Sequence, residues 1–547
     1  MEESPFVYLS NIYGKNQYEI DGFLKLTAKY FGEDFSGLSA LGSFAGNELY
    51  EIADYVDKVA NPRLITWSID GKRVDRTWID PSERWALNKL MTEFRINSSP
   101  YTEGDWMKHF ASLYLVSDPG IACVLTVTNQ TAYALFKYGT ADLKKYISNL
   151  TGQDGKVMFG ATWFTEIQGG SDLGNNLVTA SGDGENWYLD GDTKYFSSDA
   201  GLADLAVVTA RIPGGARGAK GLGLFLVPEI NSHGEKNFTV RRLKRKSGTM
   251  SVPTGEVEFL HSECRLLGRP EEGIYYTMEN LMVSRLSNAM GALGIARKSY
   301  LEAYFYLQKR QAFGKVLIAQ PLIRRDLMDM EVYIEGSMLL AFKAAREFQR
   351  SFMQTPPYTD EYHYARMLAH MAKNITADMA SYVSEMAMQL HGGLGFLKEF
   401  PVERLHREAL ITPIWEGPSN IQAIDFLEVI QKKRSDLTLT KDIEKMREDV
   451  TEGYDLLENA LLLIRKNLDL LSSMSPEMAQ FYAKDMLNII GHSFAVILLV
   501  HMSNVTKTSR TLKVAALYAR RFLLHSPPDV SDMDAADEIL PIDRIKT

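Results

Sequence analysis

Five short stretches of this sequence carry residue types that could do chemistry on a bound small molecule. The one with the clearest logic is Ile414-Trp415-Glu416-Gly417-Pro418-Ser419-Asn420-Ile421-Gln422. Ser419 and Gln422 have the spacing of a capping box, which predicts a helix starting at Ser419. Glu416 then sits in a tight loop before a positive helix end, beside a bulky indole. An apolar wall raises a carboxylate pKa while a helix end lowers it, the tension a tunable general base requires. A solvated loop glutamate is the bland alternative, and it describes most glutamates.

The other four stretches suit ligand binding. Thr165-Glu166-Ile167-Gln168-Gly169-Gly170-Ser171-Asp172 combines two glycines with hydroxyls that can serve phosphate or a flavin edge, although for such a string alone a plain Gly-Gly turn is the better explanation. Tyr195-Phe196-Ser197 offers an aromatic face and a polar edge to a planar ligand, or simply packs in a sheet. Arg310-Gln311-Ala312-Phe313-Gly314-Lys315, followed by Gln320, places an arginine fork that could bind phosphate at a helix end beside a glycine turn, although an exposed arginine favoured by the helix C-terminus is the commoner explanation. Gln389-Leu390-His391-Gly392-Gly393-Leu394-Gly395-Phe396 has three glycines in four residues, more than a helix cap needs.

These stretches need a framework, and the pattern of the chain outlines one. Residues 1–35 read as an arm that wraps another part of the protein or a partner subunit. Residues 36–155 carry helical periodicity, with Asp80-Pro81-Ser82 suited to a helix start. Residues 156–268 hold short β-rich runs, and Asp190-Gly191 has the form of a hairpin turn, so a compact antiparallel β-domain is expected. Long helical segments return over 269–434, and 435–547 forms a further helical block. The fold class is therefore α+β, mainly α: helices, β-domain, helical bundle, extra helical domain.

Bulk properties exclude several alternatives. The 547 residues are 45% apolar and 24% charged, a globular mixture, with net charge −9 that gives the whole molecule no pull toward nucleic acid or an anionic membrane. The two cysteines, Cys123 and Cys264, have no metal-ligand spacing, so no metal site is expected and a reducing, cytoplasmic setting is. The start shows no signal-peptide pattern. The apolar run Ile489–Val500 is short for a membrane span and reads as a buried core helix.

Taken together and in this order, TEIQGGSD, YFSS, RQAFGK, QLHGGLGF and WEGPSNIQ resemble the acyl-CoA dehydrogenase family over residues 100–434. The extra helical domain, Trp415 and EGSMLLAFKAAREF at 335–348 look most like the AidB-type branch, which is associated with the response to alkylation damage. The resemblance implies FAD as cofactor and Glu416 as the base that takes an α-proton from an acyl-CoA. It implies that Thr165, Gly170, Ser171, Tyr195, Phe196 and Ser197 serve the flavin and its pyrophosphate. Arg310, Phe313, Gln320, Gln389, Gly392, Gly393 and Asn420 would complete the FAD site, in part from a neighbouring subunit, so a homo-oligomer, a dimer of dimers, follows. Arg285 and Trp415 would line the acyl pocket, and Trp415, larger than the usual Tyr, would narrow it. Pro418 stands where the family has Thr, and Gln320 lies one place earlier than the usual glutamine. An electron-transfer flavoprotein or similar acceptor would take the electrons, and oxygen would replace it if the enzyme were an acyl-CoA oxidase.

A rival reading is an AidB-type flavoprotein that binds DNA through its C-terminal domain, with weak or vestigial dehydrogenase activity. No Asp or Glu lies between Asp485 and Asp529, whereas Lys507, Arg510, Lys513, Arg520 and Arg521 do, and on a helix they would share one broad face. Against this, residues 437–547 hold 13 Lys and Arg but 16 Asp and Glu.

Overall fold

The structure is a computed structural model, described here for residues 9–524, 535 and 537–540. These fall into two compact units. The first comprises Met1–Tyr50, Trp106–Asp118 and Asn288–Thr547; the second comprises Glu51–Asp105 and Pro119–Ser287.

The second unit is built on a seven-stranded sheet of Gly160–Trp163, Thr179–Asp183, Asn186–Ser198, Leu205–Arg211, Leu222–Pro228, Thr239–Leu243 and Thr254–Leu266. The strand Leu205–Arg211 is buried on both faces, which is why LAVVTAR reads as a continuous apolar run. Ala206, Val208 and Ala210 pack with Trp163, Phe238 and Phe259. Leu205 and Val207 point the other way, into a cluster with Leu135, Leu224 and Tyr276. Trp163 meets Phe238 edge to face at 4.9 Å, and burying each such ring stabilises by about 3 kcal/mol.

Three expectations are corrected here. The sheet is mixed, because Gly160–Trp163 and Thr179 pair parallel to Leu205–Arg211. Asp190-Gly191 is not a hairpin turn. It lies inside the long strand Asn186–Ser198, where the register shifts, and the turn falls between Asp183 and Asn186. Gly191 is required there for a different reason: its φ is +145°, and a Cβ would sit 2.9 Å from Val178 Cγ2. Finally, the segment read as wholly helical contains the hairpin Arg63–Trp67 and Arg73–Trp78. The start at Pro81 holds, with Asp80 accepting from Ser82 N.

The first unit is a helical bundle. Its main helices are Pro321–Ser351, Asp360–Leu390 and Ser419–Gln431, joined by the later part of Gly273–Lys309. The C-terminal helices Tyr454–Ser473, Ala483–Thr506 and Ser509–Ala519 belong to the same unit. Glycines let them approach closely: a Cβ on Gly336 would lie 2.2 Å from the Tyr518 ring, and one on Gly491 would lie 2.5 Å from Ile375 Cδ1. Ala483–Thr506 is long and apolar enough to cross a membrane, but 78% of its most apolar stretch is buried in the unit, as a core helix would be.

The N-terminal segment is tied into this unit. Asp21 caps the helix Gly22–Phe31 and lies 3.5 Å from Arg297, which also pairs with Glu331. Glu302 accepts from Ser10 Oγ and Asn11 N, both at 2.6 Å.

Candidate functional site

The Glu416 loop belongs to the first unit and is the most tightly prescribed backbone among the candidates. After the helix Pro401–Ala409, Ile414 N and Trp415 N both donate to Ile411 O, closing a turn. Glu416 then adopts φ +57° and Gly417 φ +93°. A left-handed conformation costs a glutamate about 1 kcal/mol or more, so surrounding contacts must hold it.

Those contacts come from three directions. Gln422 Nε2 donates to Glu416 O at 3.0 Å and to Gly417 O at 2.8 Å. Lys373 Nζ, buried, donates to Gly417 O at 2.8 Å. Asn288, also buried, accepts from Trp415 Nε1 and donates through Nδ2 to Thr412 O at 3.2 Å. Trp415 and Glu416 are themselves half-buried.

The expected capping box does not form. Ser419 is the first helical residue, Pro418 occupies the cap position, and no side chain caps the helix. Gln422 is needed elsewhere: its amide reaches back to the loop carbonyls while its oxygen meets His370 Nδ1 at 2.8 Å. Asn420 is exposed on the first turn.

Sequence reasoning missed the residues that set this register. On the helix Asp360–Leu390, Arg366 lies 3.7 Å from Asp425, His370 bonds Gln422, and Lys373 holds Gly417. These residues recur at three- and four-residue steps along that helix. A polar stripe on a buried face was the available signal.

Elsewhere in the first unit the candidates are open. Arg310 leaves the helix Gly273–Lys309 and begins a small hairpin, Gln311–Ala312 with Lys315–Val316. Its turn is Phe313-Gly314, with φ of +52° and +72°, and Phe313 is 94% exposed. Gln320 precedes the helix Pro321–Ser351 without capping it by side chain. Gln389 is exposed and donates to Glu385 at 3.1 Å. Gly392, at φ +62°, and Gly393 have nothing within 4 Å of a Cβ, whereas Gly395 packs against Met388 O. The turn is anchored by His391, buried, stacked on Tyr306 at 4.2 Å and held by burial at a pKa of about 4.

The second unit carries the remaining candidates. The TEIQGGSD loop is zipped to the strand Asn186–Ser198: Ile167 N donates to Thr193 O at 2.9 Å, and Tyr195 N donates to Thr165 O at 3.2 Å. Beneath it, fully buried Glu166 and Lys194 pair at 3.0 Å. Burial opposes ionisation of Glu166, but Lys194 and hydrogen bonds from Gln168, Leu177 and Thr193 hold its pKa below the usual range. This buried pair was also not foreseen. The loop it supports leaves Ser171 exposed and gives Gly170 contact with the Thr165 side chain. Tyr195 lies under Lys244 Nζ, 2.9 Å from the ring centroid, and Phe196 is 55% exposed. Ser197 Oγ is buried with no hydrogen-bond partner among the described residues. A buried hydroxyl without a partner is costly, so this position fits a polar edge of a bound planar group. Arg285 is buried in this unit.

The five basic residues near the C-terminus do not form an open stripe. Lys507 ends the helix Ala483–Thr506 with φ +57°, so it is not on the helix that carries Arg510 and Lys513. Arg510 is buried, pairs with Glu335 at 2.7 Å, and donates to Glu538 O and Ile539 O. Lys513 pairs with Glu538, and Arg521 lies 3.5 Å from Asp329. Arg520 follows the same helix and is half-buried. Among the described residues no cluster could hold a metal ion.

Comparison with known proteins gives three adjoining matches. Residues 161–261 match the acyl-CoA dehydrogenase middle domain, 271–430 match its C-terminal domain, and 10–154 match the N-terminal domain of the adaptive response protein AidB. An acyl-CoA dehydrogenase of Bacillus subtilis is 33% identical over 309 residues, covering 56% of this chain and 76% of that protein. AidB of Escherichia coli is 28% identical over 517 residues, covering 87% of this chain and 93% of AidB. The crystal structure of ACDH-11 from Caenorhabditis elegans, in complex with C11-CoA, superposes with a TM-score of 0.83 at 24% identity, covering 98% of this chain and 96% of that one.

Proposed function

This chain belongs to the acyl-CoA dehydrogenase family, and we propose that it dehydrogenates an acyl-CoA thioester between the α- and β-carbons with Glu416 as base. The observation that carries the reading is the left-handed Glu416, held by Gln422, Lys373 and Asn288 through the backbone and side chains around it. Strain maintained by buried polar contacts is what a preorganised catalytic carboxylate requires.

A free carboxylate is far too weak a base for the α-proton of a thioester. The Glu416 N–H, donating to the thioester carbonyl, would stabilise the charge that develops as a Glu416 carboxylate oxygen takes the proton. Trp415 beside it would exclude water and bound the space open to the acyl chain. FAD, when bound, would accept the hydride from the β-carbon. Ser197, with its buried hydroxyl, and Tyr195, Thr165, Gly170 and Ser171 would hold the flavin end; Arg310, Phe313, Gln389, Gly392 and Gly393 would hold the nucleotide end in a homo-oligomer, a dimer of dimers. We place the enzyme in the cytoplasm, with an electron-transfer flavoprotein or similar acceptor downstream. The DNA-binding reading has little local support, because Arg510, Lys513 and Arg521 already meet acidic partners.

The test is anaerobic addition of straight and branched acyl-CoAs to the purified protein while the flavin's long-wavelength absorbance is followed. Bleaching by one class is expected and would identify it. An FAD-loaded protein bleached by none would overturn the reading.

A further inference from the structure

We infer that Asn288 is a positioning residue that locks the Trp415 indole and thereby sets the upper limit on the acyl chain accepted beside Glu416. The inference rests on the dehydrogenase reading above. Asn288 is buried, and both ends of its amide are used on one short segment: Oδ1 accepts from Trp415 Nε1, and Nδ2 donates to Thr412 O at 3.2 Å. Thr412 is fixed in turn, with its N and Oγ1 donating to Ala409 O.

The geometry makes the two bonds act as one device. An indole attached to a loop residue can swing about two side-chain torsions, and each costs rotamer entropy to freeze. The Asn288 oxygen defines one orientation for the ring N–H. Its nitrogen ties that orientation to the backbone three residues before Trp415. Any other ring position would leave the buried Asn288 oxygen without this donor, which disfavours it. The wall next to the candidate base is therefore rigid, and a rigid aromatic wall discriminates between chains that differ by a few methylenes. Nothing in the spacing of the motifs points to Asn288, which lies 127 residues from its partner.

The experiment uses FAD-loaded protein carrying Glu416→Gln, so that binding is measured without turnover, and titrates straight-chain acyl-CoAs from short to long by calorimetry. The parent should bind them up to a limiting length. Asn288→Ala, which frees the ring, should raise affinity for chains beyond that limit about tenfold relative to short ones. Trp415→Phe removes the indole donor and much of its reach, and should shift the limit in the same direction even if Asn288→Ala does not fold. Acyl-CoA binding with an unchanged length profile in whichever variants fold would overturn the lock. Failure of the parent to bind any acyl-CoA would instead overturn the dehydrogenase reading, and the inference with it.

Discussion

The Glu416 loop and the Arg310–Lys315 hairpin lie in the same unit, each has a non-glycine residue at positive φ, and they are held in opposite ways. Glu416 is followed by Gly417, whose carbonyl accepts from two side chains, and preceded by Trp415, fixed by a third. Phe313, at φ +52°, stands 94% exposed on a two-residue turn closed by its own short strands. The first region is prescribed by its own unit, as a group that must meet a reacting atom should be. The second presents its side chains outward, as a grip completed by something outside the unit would. On the proposed reading, chemistry and cofactor grip would place these different demands on one bundle.

The largest effect should come from loosening the prescribed side. Lys373→Met removes the buried cation from Gly417 O at similar volume, and kcat/KM should fall about 100-fold, with FAD still bound, because a small displacement of the base is enough. An unchanged kcat/KM would show that the loop is held without Lys373. Stopped-flow reduction by the preferred acyl-CoA makes this comparison directly.

Acid should act next, and through the open side. His391 is kept neutral by burial, with a folded pKa of about 4 against an ordinary 6.5. The unfolded chain takes up the proton first, so the stability that neutral His391 contributes is complete above pH 6.5 and is lost as pH falls toward 4. The effect is up to about 3 kcal/mol. His391→Phe should flatten the acid side of a urea-stability profile over that window, and an equally steep profile would remove His391 as its cause.

A smaller change sharpens the contrast between backbones. Gly417→Ala places a Cβ 2.7 Å from Gln422 Nε2 at a φ of +93°. It should cost about 1–2 kcal/mol, read as a lower melting temperature. The smallest effect on stability is expected for Phe313→Ser, within about 0.5 kcal/mol, since the ring is already in water. The same variant should lose FAD on dilution more readily than the parent. Unaltered retention would separate this hairpin from the cofactor.

Much of this was legible in the sequence, and the errors have physical causes. The β-rich runs from Leu205 to Leu266 were readable because strand-forming residue types are local, and they appear as strands. Asp190-Gly191 misled because glycine serves a strand that passes close to Val178 as readily as a turn. Ser419 and Gln422 had capping-box spacing, but Gln422 was recruited by carbonyls and His370. The basic stripe dissolved because its acidic partners are remote: Glu335 lies 175 residues before Arg510. Asn288 and Lys373 act across helix packing, which no local pattern encodes.

The central claim is that Glu416 moves the α-proton, and α-hydrogen exchange isolates that step. The substrate would be an acyl-CoA analogue whose β-carbon is replaced by oxygen or sulfur, so that no hydride can leave. FAD-loaded protein in deuterated water should wash deuterium into the α-position, and Glu416→Gln should do so about 1,000-fold more slowly. Exchange at equal rates in the two proteins would contradict the account.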